Sequence, residues 1–293
     1  MKFLVYGYRG WIGSQVIELL KEMKINYELG VSRLENLKEV EKELIEKNPT
    51  NVISLIGRTH GIIGEKVYGT IDYLEQKGKI FENVRDNLFA PISLALLCKK
   101  QNIHLTYLGT GCIFKFDKNH PFGKENNGFD EDSLPNFFGS SYSVVKGFTD
   151  QMMHLMEDNC LNVRIRMPIV GKHNQRNFIT KITKYEYICS VPNSMTVLPE
   201  LLPIMIDMAK KRETGTINLT NPGLISHNEI LEMYKKYIDP EFTWKNFSIE
   251  EQLKILDADR SNNYLDTNKL ETLYPNVKNI KVAIEELFKK WKN

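Results

Sequence analysis

The sequence predicts an α/β fold, a doubly wound parallel sheet with a smaller C-terminal domain, on three observations. Short apolar runs alternate with amphipathic stretches of helical period, which is the pattern of βαβ units. A glycine-rich turn, Gly7-Tyr-Arg-Gly10-Trp-Ile-Gly13, stands at the first junction between such a run and such a stretch. The alternation stops near Gly171, where a polar segment begins.

Composition narrows the function classes. With 293 residues, 42% hydrophobic and 26% charged, the chain can bury a full core and suits one large or two modest domains. A formal net charge of +2 argues against nucleic acid or an acidic membrane surface as partner and leaves a small-molecule ligand open. Cys98, Cys112, Cys160 and Cys189 are scattered and lack histidines at zinc spacing, so neither a disulfide framework nor a metal site is expected. The strand signal starts at Lys2 and no apolar run is long enough to span a bilayer, so the expectation is a cytoplasmic chain without a signal peptide.

Lys2–Tyr6 reads as the first strand and Ser14–Glu22 as the first helix. Between them Gly7 permits the tight turn, Gly10 lets a pyrophosphate approach the backbone, and Gly13 lets the helix pack on the strand. A dinucleotide is expected there. The next strand, Asn26–Val31, ends in Ser32-Arg33, where an NAD-type site places an acid for the ribose hydroxyls. Arg33 instead suits a 2′-phosphate, with Arg9 as a second phosphate contact, so NADPH is the expected cofactor. The alternative for both arginines is a solvated surface charge.

Leu37–Lys47 is an amphipathic helix, Asn51–Ile56 a buried strand, and Gly57–Gly64 a loop at its ligand-facing end. Val84–Lys100 is a helix with Asn87 on an otherwise apolar face, and Ile103–Leu108 the strand after it, with His104 at the strand margin. That strand runs out in a hydroxyl, Thr110, and a thiol, Cys112, on the edge that faces the ligand in a parallel sheet. A buried Thr and Cys closing a strand is the alternative. Lys115–Phe138, with Pro121, Gly123 and Pro135, is an irregular excursion. A helix from Ser140 to about Asn159 places Tyr142 and Lys146 on one face, where the ammonium favours the ionised phenol.

Asn162–Arg166 is a strand, and the break after it sets the domains: 1–168 for the nucleotide, to which 195–222 returns, and 169–293 for the substrate. The return consists of a helix at Pro199–Arg212 and a strand at Gly215–Leu219. Ser226 with Glu229 and Ser248 with Glu251 form capping boxes, so His227 is a first-turn helix residue rather than a catalyst. Arg260–Asp266 is a polar loop, and Lys281–Trp291 the closing helix.

Together the glycine turn, Thr110, Tyr142 and Lys146 resemble the extended short-chain dehydrogenase/reductase superfamily, with its Rossmann-type sheet, over the whole chain. Within it the chain is similar to the bifunctional UDP-4-keto-6-deoxyglucose 3,5-epimerase/4-reductases of UDP-L-rhamnose synthesis. The matching stretches include Thr110-Gly-Cys-Ile-Phe114, Arg166-Met-Pro168, Arg176-Asn-Phe-Ile-Thr-Lys-Ile182, Thr220-Asn-Pro-Gly223 and Arg260-Ser-Asn-Asn263. The chain departs from that family at Ser54-Leu-Ile-Gly57, where Asn-Ala-x-Gly is usual, and at Ser143-Val-Val145.

The resemblance implies that Cys112 is the base and Lys181 the proton donor of epimerisation, and that Thr110, Tyr142 and Lys146 serve reduction of the C4 ketone. It implies cofactor contacts at Gly7, Arg9, Gly10, Trp11, Ile12, Gly13, Arg33, Leu55, Ile56, Gly57, Asn87 and Pro168, beside Tyr142 and Lys146. Asn177 and Arg260 would hold the UDP diphosphate and Val191 would lie near the uracil. It further implies UDP-4-keto-6-deoxyglucose as substrate, a homodimer through core helices, and an upstream UDP-glucose 4,6-dehydratase as separate supplier. A reductase without epimerase activity and a non-catalytic NADP-binding regulatory subunit stay open as alternatives.

Overall fold

The computed structural model describes residues 1–291. In chain order its elements are β1 (Phe3–Tyr6), α1 (Trp11–Glu22), β2 (Tyr27–Leu29), α2 (Leu37–Lys47), β3 (Asn51–Ser54), β4 (Gly61–Ile63), β5 (Lys66–Tyr68), α3 (Asp72–Glu75), α4 (Ile80–Val84), a π-helical turn (Arg85–Phe89), α5 (Ala90–Lys100) and β6 (His104–Thr110). There follow α6 (Ser141–His154), β7 (Cys160–Ile165), β8 (Pro168–Ile169), α7 (Phe178–Ile182), β9 (Tyr187–Ile188), β10 (Thr196–Val197), α8 (Leu198–Lys211), β11 (Gly215–Asn218), α9 (His227–Tyr237), β12 (Lys245–Asn246), α10 (Ile249–Leu253), α11 (Asn268–Leu273) and α12 (Ile280–Lys289).

Six strands form one sheet in the order β11-β7-β6-β3-β1-β2. β1 pairs in parallel with β2 on one side and β3 on the other, and β3 pairs in parallel with β6. The chain therefore runs outward from β1 to β2 and then returns across β1 to β3. That reversal is the switch point of a doubly wound sheet, whose ligand crevice lies outside the carboxyl ends of the flanking strands. β1 and β3 are buried at every residue, which is why they read as continuous apolar runs rather than alternating ones. The Rossmann-type sheet expected from the alternation is present.

The chain divides into two compact units: Met1–Thr110 with Ser140–Arg164 and Leu202–Ile217, and Gly111–Gly139 with Ile165–Leu201 and Asn218–Asn293. The chain passes to the second unit after Arg164, close to the expected cut at residue 168, and also leaves the first unit earlier, directly after Thr110, for segment 111–139. Segment 111–139 joins the second unit because its aromatic residues pack there: Phe114 and Phe129 stack at 4.5 Å in a cluster with Ile113 and Leu265. The returning stretch is shorter than expected, since β10 pairs with β8 inside the second unit.

In the first unit, Leu4, Tyr6, Val52, Leu105 and Tyr107 of the sheet pack with Val40 and Leu44 of α2 and Leu94 and Cys98 of α5. α6 is pinned to β7 by a buried ion pair, with Arg164 Nη2 and Nε donating to Asp150 at 2.6 and 2.9 Å. Asn162 Nδ2 adds a third donor to the same carboxylate at 2.7 Å, and such full satisfaction is what makes a buried charge pair tolerable. The second unit has its own core around Ile169, Ile179, Ile182, Leu231, Ile284 and Phe288. Both expected capping boxes are formed, at Ser226 and Ser248. Among the described residues no helix is long and apolar enough to cross a membrane.

Candidate active site

At the end of β1 the chain turns on Gly7, whose φ of +78° is one that side chains rarely adopt. A Cβ on Gly13 would lie 2.1 Å from the Gly7 carbonyl oxygen, so helix and turn can only approach this closely without one. Gly10 caps α1 in an extended conformation, with no side-chain cap and no acid in the first turn. The first N–H groups, at Trp11, Ile12 and Gly13, thus end the helix with a net positive dipole, a fit for a pyrophosphate. The Leu55 amide donates to the Tyr6 carbonyl at 3.1 Å, which brings Leu55, Ile56 and Gly57 alongside the turn. Arg33 is 81% exposed and pairs loosely with Glu35 at 3.4 Å, leaving a cation that a 2′-phosphate can recruit. Arg9 is also exposed and donates to the Tyr8 hydroxyl at 3.1 Å. The residues present therefore fit a 2′-phosphorylated dinucleotide.

Thr110 closes β6, and Tyr142 and Lys146 lie one turn apart on α6; all three are buried. Ser140 fixes the start of that helix, its Oγ accepting the Ser143 amide at 3.1 Å. The Lys146 ammonium donates to the hydroxyl of Tyr107 on β6 and lies 4.6 Å from that ring's centre. Burial pushes the Tyr107 phenol well above its ordinary range, and Tyr142 and Asp150 push in the same direction, so Tyr107 stays neutral and accepts. Tyr107 was not expected in the site. In sequence it is one more aromatic residue in an apolar strand, and only the neighbour across from it reveals the role.

In the second unit Cys112 sits on a turn fastened at several points. The Gly111 amide donates to the Ile165 carbonyl at 3.0 Å, and the Gly111 carbonyl accepts from Arg166 Nη1 and Asn263 Nδ2, each at 2.9 Å. Ser261 Oγ and Asn263 Nδ2 donate to the Phe114 carbonyl at 2.6 and 2.9 Å. Arg166 is fully buried, and its remaining donors go to Asn193 Oδ1 at 2.7 Å, to Ser261 and, from Nε, to the Ser194 carbonyl at 3.3 Å. Burial pushes its guanidinium below the ordinary range, and the Cys112 sulfur is the group that opposes this. Arg166, Ser261 and Asn263 fall in motifs visible in the sequence, but nothing there said that they hold the thiol's turn.

Lys181 lies on α7, in a cationic setting. Burial, then the charges of Arg176 and Arg260, lower its ammonium to about 8. Arg176 and Arg260 thus lie close enough to act on the Lys181 charge, and guanidinium groups suit a diphosphate. Val191 is buried, and its amide reaches His227 Nδ1 at 3.5 Å. His227 opens α9 as expected, and burial holds its imidazole down at about 4, in the neutral form.

The Asn177 side chain, expected at the diphosphate, is wholly buried and accepts from the Val170 amide at 3.2 Å and donates to the Val170 and Lys172 carbonyls, each at 2.9 Å. It seats the start of α7 and so places Lys181. The Asn87 carboxamide is likewise spent on protein, accepting from the Arg58 amide at 2.8 Å and donating to the Arg58 carbonyl at 2.9 Å. It shapes the loop after β3. Pro168, expected beside the cofactor, belongs to the second unit, in β8.

No family model matches the chain. It is 54% identical over 292 residues to protein L780 of Acanthamoeba polyphaga mimivirus, covering 100% of this chain and 99% of that one. The crystal structure of that protein, described as a UDP-rhamnose synthase, superposes with a TM-score of 0.94 over 99% of both chains. An Arabidopsis thaliana bifunctional dTDP-4-dehydrorhamnose 3,5-epimerase/dTDP-4-dehydrorhamnose reductase is 44% identical over 96% of this chain and 90% of its own. An Arabidopsis trifunctional UDP-glucose 4,6-dehydratase/UDP-4-keto-6-deoxy-D-glucose 3,5-epimerase/UDP-4-keto-L-rhamnose-reductase is 42% identical over 97% of this chain and 41% of its own. The chain belongs to this family of UDP-rhamnose synthases and bifunctional rhamnose epimerase/reductases.

Proposed function

We propose that this chain converts UDP-4-keto-6-deoxyglucose to UDP-L-rhamnose, by 3,5-epimerisation and then NADPH-dependent reduction of the C4 ketone. The observation that carries the reading is Cys112 held on its fastened turn, in a chain 54% identical to a UDP-rhamnose synthase. The C4 ketone acidifies the protons on C3 and C5. Cys112, as thiolate, removes a proton from one face of the sugar, and Lys181 delivers one to the other face. Each carbon loses one proton and gains one, so no redox change is involved. An ammonium lowered to about 8 gives up its proton readily near neutrality. The negative charge that builds on the C4 oxygen is met by the hydroxyls of Thr110 and Tyr142.

The cradle of Gly7, Gly10 and Gly13 would hold the pyrophosphate of NADPH, and Arg33 its 2′-phosphate. When bound, NADPH supplies the hydride that C4 accepts. Tyr142 gives its proton to the C4 oxygen, and the charge of Lys146 stabilises the tyrosinate left behind. Tyr107 keeps that ammonium in place. Arg260 and Arg176 face the UDP diphosphate. The keto-sugar comes from a 4,6-dehydratase, an activity that the trifunctional relatives carry by name beside the two proposed here. A homodimer is supported by exposed apolar residues on α5 and α6 and directly after α6: Leu96, Phe148 and Leu155 are 56%, 56% and 72% exposed.

The test is incubation with UDP-4-keto-6-deoxyglucose and NADPH in deuterated water. The wild type is expected to label C3 and C5 of the product, and Cys112→Ala to lose labelling by about a hundredfold or more while still reducing a pre-epimerised keto-sugar. Labelling unchanged in Cys112→Ala would defeat the epimerase reading and leave a reductase.

A further inference from the structure

Among the buried charges of the first unit, Glu43 on α2 has no place in the mechanism above. The residue is only 4% exposed. One oxygen, Oε1, accepts from the Val31 amide at 2.8 Å and from Lys47 Nζ at 2.6 Å. The other, Oε2, accepts from the Ser32 amide at 3.0 Å and from the Tyr6 hydroxyl at 2.9 Å. Four donors fill the acceptor positions of a carboxylate, so none is left for a ribose hydroxyl. Burial alone would raise this acid, but Lys47 and the amides of Val31 and Ser32 hold it down at about 2, charged at any working pH.

The location gives the network its meaning. Val31 and Ser32 follow β2 after Gly30, at the strand end where an NAD-type site displays an acid to the adenosine ribose. Here an acid reaches that strand end from α2, beneath the backbone, and is consumed there. Lys47 also donates to the Leu29 carbonyl at 2.6 Å, and Gly30 lies so close to the Tyr6 ring that a Cβ would come within 2.4 Å of it. The chain from Leu29 to Ser32 is thus held from below, by groups of β1 and α2, while Arg33 next in line stays exposed.

We propose that Glu43 is a positioning residue for cofactor selection: its carboxylate fixes the backbone of Val31 and Ser32 so that Ser32 and Arg33 meet a 2′-phosphate. This rests on the reading of Arg33 as the 2′-phosphate contact. A glutamine at this position sets an NH2 donor against donors, so the strand end loses an acceptor while the glycine cradle is untouched.

Binding of adenosine 2′,5′-bisphosphate and of 5′-AMP, measured by calorimetry on the full chain, separates these parts. Glu43→Gln is expected to weaken the bisphosphate by about tenfold and 5′-AMP by less than about twofold. In turnover the KM for NADPH rises and kcat stays. Equal weakening of both nucleotides, or of neither, overturns the proposal. Where Glu43→Gln does not fold by circular dichroism, Tyr6→Phe decides, with a selective loss of about threefold expected. Arg33→Ala tests the underlying reading separately. If it keeps the preference while Glu43→Gln loses it, Glu43 acts through Ser32; if all three variants keep it, the proposal falls.

Discussion

Lys181 shows how a residue's chemistry is set by neighbours that its own position does not announce. Burial and the charges of Arg176 and Arg260 bring its ammonium to about 8, so it loses its proton as pH rises through that value. As a proton donor it is competent below that pH and spent above it. The kcat/KM for isotope exchange at C3 and C5 is therefore expected to fall on the alkaline side with an inflection near 8, because this parameter reports the free enzyme. With the diphosphate bound, Arg176 and Arg260 are partly neutralised, and the inflection in kcat moves upward. An exchange rate flat across that range would remove Lys181 from the donor's role. The candidate reactive side chains are legible because few residue types do this work: a thiol, a phenol and an ammonium at strand and helix ends are conspicuous. Asn87 and Asn177 are the converse case. A carboxamide serves ligand and backbone equally well, and only its partners tell which.

At the scale of the element, α6 is the case where local sequence and chemistry coincide. Ser140 caps it, Tyr142 and Lys146 share its face, and Asp150 anchors it to Arg164. Ser140→Ala removes the acceptor of the Ser143 amide and is expected to cost about 1 kcal/mol, lowering the thermal midpoint by about 2 °C in calorimetry. No change in midpoint would show that the cap is dispensable. The two capping boxes and the bounds of α2 could be read directly, because caps and helical period are local signals. The π-helical turn Arg85–Phe89 could not. Nothing in those five residues demands it; it arises where Asn87 reaches the Arg58 loop and where Thr149 Oγ1 donates to the Asn87 carbonyl at 2.5 Å.

For the molecule as a whole, the exposed apolar face of α5 and α6 makes the assembly testable. Phe148→Glu is expected to convert a dimer to a monomer in sedimentation velocity, and a wild-type chain that sediments as a monomer would end the homodimer proposal. Strand alternation determined the α/β class, and the glycine turn and the spacing of Tyr142 from Lys146 the candidate cradle and candidate reductase pair, because these depend on periods and contacts within a few residues. What the tertiary structure decided was everything carried by long-range pairing. Segment 111–139 belongs to the second unit because Phe129 meets Leu265, far along the chain. Tyr107 matters because it meets Lys146, and Glu43 because Val31, Ser32, Tyr6 and Lys47 converge on it. A buried polar group is defined by the donors and acceptors around it, and these come from residues that only the folded chain brings together.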